Sequence, residues 1–242
     1  MPDKRKHRGP HPADGNLFAQ PQWPKLQQAV RDLSWLLSQG YAEKGAIKLV
    51  GDRYRLKERQ RMAVIRASCS QQAALHRQTT QAHTYDLAGN ALHIDGFNLL
   101  ITIESALSDG FLLEGVDGCY RDLASIHGSY KRVMETEEAI ILIGKILESL
   151  EVHQSVWYFD KPVSNSGRLK KMVLNTAQAF GWNWDSVLHY NPDKVLIEIN
   201  QTIASSDSIV LDKAYQWFNF SRFIVDNFIK EATVLPLSRL VK

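Results

Sequence analysis

Leu92-His93-Ile94-Asp95-Gly96-Phe97-Asn98-Leu99-Leu100-Ile101 is the stretch on which the reading of this 242-residue chain turns. It predicts a buried strand whose C-terminal edge delivers a carboxylate (Asp95), a glycine (Gly96) and an amide (Asn98). In an open α/β sheet, ligands bind at that edge. A buried, unpaired aspartate is costly. Asp95 is therefore either satisfied by neighbours, as the cap of a helix starting near Phe97, or it holds a cation.

Downstream the pattern repeats. Residues 155–160, Ser155-Val156-Trp157-Tyr158-Phe159-Asp160, predict a second strand that again ends in Asp. Residues 185–190 predict a third, and residues 201–204 lead into Ser205-Ser206-Asp207-Ser208. Helices are expected between them. Residues 135–150 carry Glu135, Glu137 and Glu138 at the positive dipole end, and residues 166–180 stop at Gly181. A last helical region, residues 209–231, places Trp217, Phe218, Phe220 and Phe223 in the core. The alternation predicts an α/β fold with a mainly parallel central sheet and helices on both faces.

Upstream, the chain divides into a basic irregular arm (1–23), a small, mostly helical basic domain (24–88) and the α/β domain (89–242). The arm contains Lys4-Arg5-Lys6-His7-Arg8-Gly9-Pro10-His11-Pro12, which is too polar to fold alone and is expected to pack on the body or reach for a phosphate backbone. A helix is expected over residues 24–39, with Pro24 at its start and Gly40 at its stop. Residues 42–55 read equally as helix end or short strand. Residues 56–75 predict one helix whose outer side, with Arg55, Lys57, Arg59, Arg61 and Arg66, is either a solvated face or a nucleic-acid surface.

Charge follows the same division. Residues 1–90 carry 15 Lys and Arg against 7 Asp and Glu, whereas residues 91–242 carry 14 against 19. A polyanion-binding half beside a carboxylate-rich site is the function class this suggests. No apolar run approaches the ~18–20 residues needed to cross a bilayer, and the basic N-terminus has no apolar core, so neither a membrane span nor a secretory signal is expected. Cys69 and Cys119 lie far apart and are expected to be reduced, buried thiols of a cytoplasmic protein. His127-Gly128-Ser129 lacks a GxSxG elbow, and neither a P-loop nor GxGxxG is present, which disfavours serine hydrolysis, nucleotide switching and dinucleotide redox.

In a parallel sheet Asp95, Asp160 and Asp207 would lie on one edge. Three like charges in a small space raise one another's pKa unless a cation neutralises them. Mg2+ or Mn2+ takes a few carboxylates plus waters and leaves room for a phosphate, which is the chemistry of metal-assisted phosphodiester hydrolysis. Each acid also has a structural alternative: Asp95 and Asp207 as helix caps, Asp160 as the start of a turn at Lys161-Pro162.

These residues carry a resemblance. Ile94-Asp95-Gly96-Phe97-Asn98-Leu99-Leu100 resembles the first-strand motif of NYN and other PIN-like nucleases. Val156-Trp157-Tyr158-Phe159-Asp160-Lys161-Pro162, with Arg168 and Lys170-Lys171, is similar to the strand-loop-basic-helix element of the flap-endonuclease branch. Ile203-Ala204-Ser205-Ser206-Asp207-Ser208 resembles the late strand of these families. The match spans residues 91–215. The whole chain also resembles a prokaryotic family that pairs a small basic N-terminal domain with such a C-terminal domain, and no activity comes with that second likeness.

The resemblance implies that Asp95 and Asp207 ligate metal, that Asn98 orients the first-strand loop, and that Asp160 completes the acidic cluster. A fourth acid is expected between the first two strands. Asp122, Asp117 and Glu104 compete for the place, and Asp122 is preferred because Tyr120-Arg121-Asp122-Leu123 reads as a polar step before a helical pattern. The departure comes after Asp207, where the families often have another Asp but this chain has Ser208, with Asp212 the next acid.

Substrate contacts are expected from Ser164, Asn165, Ser166, Arg168, Lys170 and Lys171 as a phosphate seat at a helix start, and from Ser206, Ser208 and Arg121. The leading expectation is therefore a metal-dependent nuclease using Mg2+ or Mn2+ on nucleic acid, RNA before DNA, with a homo-oligomer left open. The alternative is a nucleic-acid-binding or regulatory protein with an inert PIN-like domain. A third reading, a phosphatase with Asp95 as nucleophile, ranks below both.

Overall fold

The computed structural model describes residues 7–124 and 130–238. Lys4, Arg5, Lys6 and the His127-Gly128-Ser129 segment lie outside the described residues. Five helices come first: α1 (Asp14–Leu17), α2 (Trp23–Ser38), α3 (Glu43–Arg53), α4 (Glu58–Ala67) and α5 (Gln71–Thr79). Then follow β1 (Ala91–Asp95), α6 (Gly96–Leu107), β2 (Leu112–Glu114), β3 (Tyr120–Asp122), α7 (Thr136–Ser149), β4 (Gln154–Asp160) and α8 (Ser166–Phe180). The chain continues through β5 (Trp184–His189), α9 (Pro192–Glu198), β6 (Thr202–Ala204), α10 (Ser208–Leu211), β7 (Gln216–Trp217), α11 (Phe220–Phe228) and β8 (Val234–Leu235).

The main sheet is five-stranded, in the order β5-β4-β1-β6-β7, and every pairing is parallel. The chain steps outward from β1 to β4 and β5, then returns to the other side of β1 for β6 and β7. That reversal puts the topological switch point between β1 and β6. Side chains alternate across the strands, as the period of two requires. Leu92, Ile94, Trp157, Phe159 and Ala204 enter one core with α6, α7, α8 and α11. Val156, Tyr158 and Ile203 enter the opposite one with Leu196 of α9 and Leu211 of α10. The sheet is thus covered on both faces, as the alternation of apolar strands and longer helices predicts.

Gly96 is where strand turns to helix. A Cβ there would stand 2.3 Å from the Phe159 ring, so only glycine lets β4 pack this closely under the start of α6. At the other end of the sheet, Gly181 (φ 74°) closes α8 in the left-handed conformation.

Several segments differ from the sequence reading. The ambiguous residues 42–55 form helix α3. The single helix expected over residues 56–75 is two, because Ser70 caps a new helix by accepting a hydrogen bond from the Ala73 N–H (3.1 Å). Residues 209–231 are likewise not one helix: α10, β7 and α11 share them, and β7 closes the sheet beside β6. Trp217, Phe218 and Phe220 are nonetheless buried core residues, and Phe223 packs against them.

A second, three-stranded sheet, β3-β2-β8, has no counterpart in the sequence reading. Its strands are two or three residues long, too short to show a period. It changes the meaning of the N-terminal helices. Their core, built on Leu26, Val30, Leu33 and Val64, is completed by Leu113, Leu123, Leu235 and Leu237. The helical part is not closed on itself; it shares a core with strands from the rest of the chain.

The described part of the arm, from His7 onward, packs on the body, one of the two arrangements expected for it. Arg8 Nε donates to Glu104 Oε2 (2.9 Å), Arg8 Nη2 donates to the Lys131 carbonyl (2.9 Å), and His7 Nδ1 lies 2.6 Å from Glu135 Oε1. Asp14 is buried in a pair with Arg59.

Candidate functional site

The C-terminal edge of the main sheet forms the floor of a cleft of about 700 Å3, and α4 and α5 form its roof. Asp95, Asp122, Asp160, Asp193 and Asp207 all line it, with Asn98, Ser206 and Ser208. Strand ends place the first of these. β1 delivers Asp95 and β4 delivers Asp160. The turn after β6 delivers Asp207, and the first turn of α9, just past β5, delivers Asp193.

The switch point is held by side chains crossing it. Ser205 Oγ donates to Asp95 Oδ2 (2.8 Å), and Asn98 Oδ1 accepts from both the N–H and the hydroxyl of Ser206 (2.8 Å each). Asn98 thereby orients the β6 loop against the start of α6. The capping alternatives coexist with the cleft position. Asp95 accepts from the Asn98 N–H (3.4 Å), and Asp207 Oδ1 caps α10 through Ile209 and Val210 (2.8 and 3.2 Å).

Burial pushes the Asp95 carboxyl up to about 7, helped by the charges of Asp193 and Asp207 and opposed by the Ser205 hydroxyl. Asp193 is raised by burial and by Asp207 and Asp160, and Asp160 is raised by burial. Asp193 therefore couples electrostatically to all three of the other floor acids. None of Asp95, Asp160, Asp193 and Asp207 forms an ion pair among the described residues. The cleft's arginines are committed elsewhere. Arg77 binds Asp117 and Asp212, Arg121 binds Asp117, and Arg66 binds Asp122 together with two backbone carbonyls.

Among the described residues, no three His, Cys, Asp or Glu side chains stand together closely enough to hold a metal ion by themselves. The reasons are local. One oxygen of Asp207 is spent on its cap, and Asp122 is occupied by Thr102 Oγ1 (3.1 Å) and the Ala124 N–H (2.7 Å) as well as by Arg66. Asp122 ends β3, and most of the helical pattern expected after it, at residues 125–129, lies outside the described residues. Its two rivals are internal. Glu104 is buried under Arg8, Tyr130 and Thr136, and Asp117 is held well below the usual carboxylate range by Arg121 and Arg77, which outweigh its burial.

The expected substrate contacts separate in the same way. Arg121 lines the cleft but is buried; it donates to Asp117 and, through Nε, to the Ser206 carbonyl (2.8 Å), so it supports the β6 loop. The Ser164–Ser166 turn and Arg168, Lys170 and Lys171 line no part of the acidic cleft. Asn165 donates to the Tyr130 carbonyl (2.8 Å), Ser166 is buried, and Arg168 and Lys171 border a separate groove beside α7. The basic face of residues 55–66 is largely scaffolding. Arg59 binds Asp14, Arg61 binds Asp52, and Arg66 is tied to β3.

The sequence reading missed Asp193. Its signal was present in Asn191-Pro192-Asp193, where an Asx cap before a first-turn proline marks a helix start just past a strand end. Asn191 Oδ1 does accept from the Lys194 N–H (3.0 Å).

Among known proteins, the family described as "Domain of unknown function (DUF5616)" matches residues 84–223. A second, described as "Protein of unknown function (DUF434)", matches residues 25–79. The chain is 28% identical to "Uncharacterized protein MJ0935" of Methanocaldococcus jannaschii over 186 residues, 77% of this chain and 88% of that protein. No solved structure matches the chain.

Proposed function

We propose, for a chain that belongs to the DUF5616 family, a metal-dependent phosphodiesterase of PIN-like type that cleaves RNA in the cytoplasm. One observation carries this reading. Four aspartates, Asp95, Asp160, Asp193 and Asp207, line one cleft at the C-terminal edge of a parallel sheet, and none of them has an ion-pair partner among the described residues. Such a surplus of negative charge is stabilised by a bound divalent ion.

The donor set is all hard oxygen, which suits Mg2+ or Mn2+. Mg2+ keeps several waters and needs only one or two direct carboxylates. Asp95 and the oxygen of Asp207 not used in its cap would hold such an ion directly, with Asp160 and Asp193 adding negative charge around it. Bound there, the ion supplies an activated water and neutralises charge on the phosphate. The chain's own part is positional. Ser205 and Asn98 hold Asp95 and the β6 loop in place.

Two buried free cysteines, Cys69 and Cys119, support a reducing compartment. No helix among the described residues is long and apolar enough to cross a membrane.

The test is cleavage of labelled RNA with Mn2+ or Mg2+ by the full chain and by Asp95→Asn. Metal-dependent cleavage lost in the variant supports the reading, and equal cleavage by the variant overturns it. Binding that falls steeply with salt, with no metal-dependent product, would instead favour a nucleic-acid-binding protein with an inert site.

A further inference from the structure

The acidic floor lies under a roof that is bolted down. Arg77 of α5, 2% exposed, reaches Asp117 through Nη1 (2.5 Å) and Asp212 through Nε and Nη2 (2.9 and 2.7 Å). On α4, Arg66 Nη1 donates to the Asp122 carbonyl (2.5 Å). Lifting the roof would strand buried charge, so the cleft keeps its size. At about 700 Å3 it falls within the roughly 300–1,000 Å3 of sites that enclose small ligands, and a nucleic-acid duplex does not fit beneath it.

One exposed aromatic follows the edge strand of the sheet, beside the strand that ends in the floor acid Asp160. Tyr190 follows β5 and is 71% exposed. It adjoins His189, the register partner of Asp160, and precedes Asp193 by three residues. Lys161, the next residue after Asp160, donates its N–H to the His189 carbonyl (2.8 Å) and sets its Nζ 4.6 Å from the centre of the Tyr190 ring. A cation covers one face of this ring, and no other aromatic ring among the described residues packs on it. An aromatic face beside a cation is the combination that binds unpaired nucleotides, the ring stacking on a base and the cation meeting the phosphate.

We infer that the substrate is a single-stranded nucleic acid, one unpaired base of which stacks on Tyr190 while Lys161 meets the adjoining phosphate at the mouth of the roofed cleft. This rests on the phosphodiesterase reading for its purpose, but its test does not.

The test is fluorescence anisotropy at low salt in EDTA, with the full chain, a labelled oligoadenylate and a duplex of the same length. Preferential binding of the single strand is expected. Tyr190→Ala should weaken it roughly 5- to 150-fold, the loss of one base stack, while Tyr190→Phe retains it. Lys161→Gln should reduce the slope of log affinity against log salt by about 0.7. Duplex binding as tight as single-strand binding, or unchanged affinity in Tyr190→Ala, overturns the inference. A chain that binds as expected but cuts nothing upholds it and defeats only the nuclease reading.

Discussion

Asn98 Oδ1 accepts two hydrogen bonds from Ser206, one from the backbone N–H and one from the hydroxyl, each 2.8 Å long. One amide on the first turn of α6 thus fixes the loop that follows β6, across the point where the sheet reverses direction. The position of Asp207 is in this way set from the strand that carries Asp95.

Removing that amide has a defined cost. Ser206 is buried, so Asn98→Ala leaves two buried donors without an acceptor and should destabilise the fold by about 1–3 kcal/mol. Urea unfolding measures it. A variant as stable as the parent would show that the loop is held by other means.

The raised carboxyl of Asp95 makes stability depend on pH and on divalent ions together. Its ordinary value is 3.8 and in the fold it is pushed to about 7. Between those values the folded chain holds a proton that the unfolded chain has lost, so stability falls as pH rises through that window, by as much as ~4 kcal/mol from this group. Mg2+ or Mn2+ should offset the loss above pH ~7 and do little near pH ~5, where a proton occupies the site. Thermal unfolding across pH with and without the ion checks this; an ion effect independent of pH would contradict it.

Asp193→Asn separates the coupled acids. Removing its charge should lower the Asp95 carboxyl from about 7 and weaken Mn2+ binding without unfolding the chain, since Asp193 is only partly buried and forms no ion pair among the described residues. Carboxyl titration by carbon NMR and calorimetric Mn2+ titration read the two effects. If Asp95 titrates unchanged, the two acids are not coupled.

Arg77→Met tests the roof. It leaves Asp117 buried with Arg121 as its one remaining ion-pair partner among the described residues, and breaking such a pair typically costs about 3–5 kcal/mol. Denaturant unfolding measures the loss. A cost near zero would mean that the roof is held by the shared apolar core alone.

Much of the floor was legible because its signals are local. A strand ending in an acid is visible in Ile94-Asp95 and in Phe159-Asp160, and each side chain reaches the cleft because the sheet is parallel, as the alternation with helices implies. The Ser205-Ser206-Asp207 run gave its position for the same reason. What stayed hidden was long-range pairing. Nothing near Arg59 or Arg66 in sequence shows that Asp14 and β3 would claim them, so they read as part of an exposed basic face; Arg121 read as a substrate contact, although the Asp117 that pairs with it is only four residues away. Nor does the apolar run at residues 111–113 reveal a partner 122 residues further on.

That last partner bears on when the protein can work. β8 pairs with β2, and Leu235 and Leu237 close the core beneath the N-terminal helices. During synthesis the helices that roof the cleft are made first yet gain their apolar footing last, after the floor acids have left the ribosome. A nascent chain stalled before Val234 would carry the acids with their cover unsettled. The cover of the site is thereby settled only once β8 has joined β2.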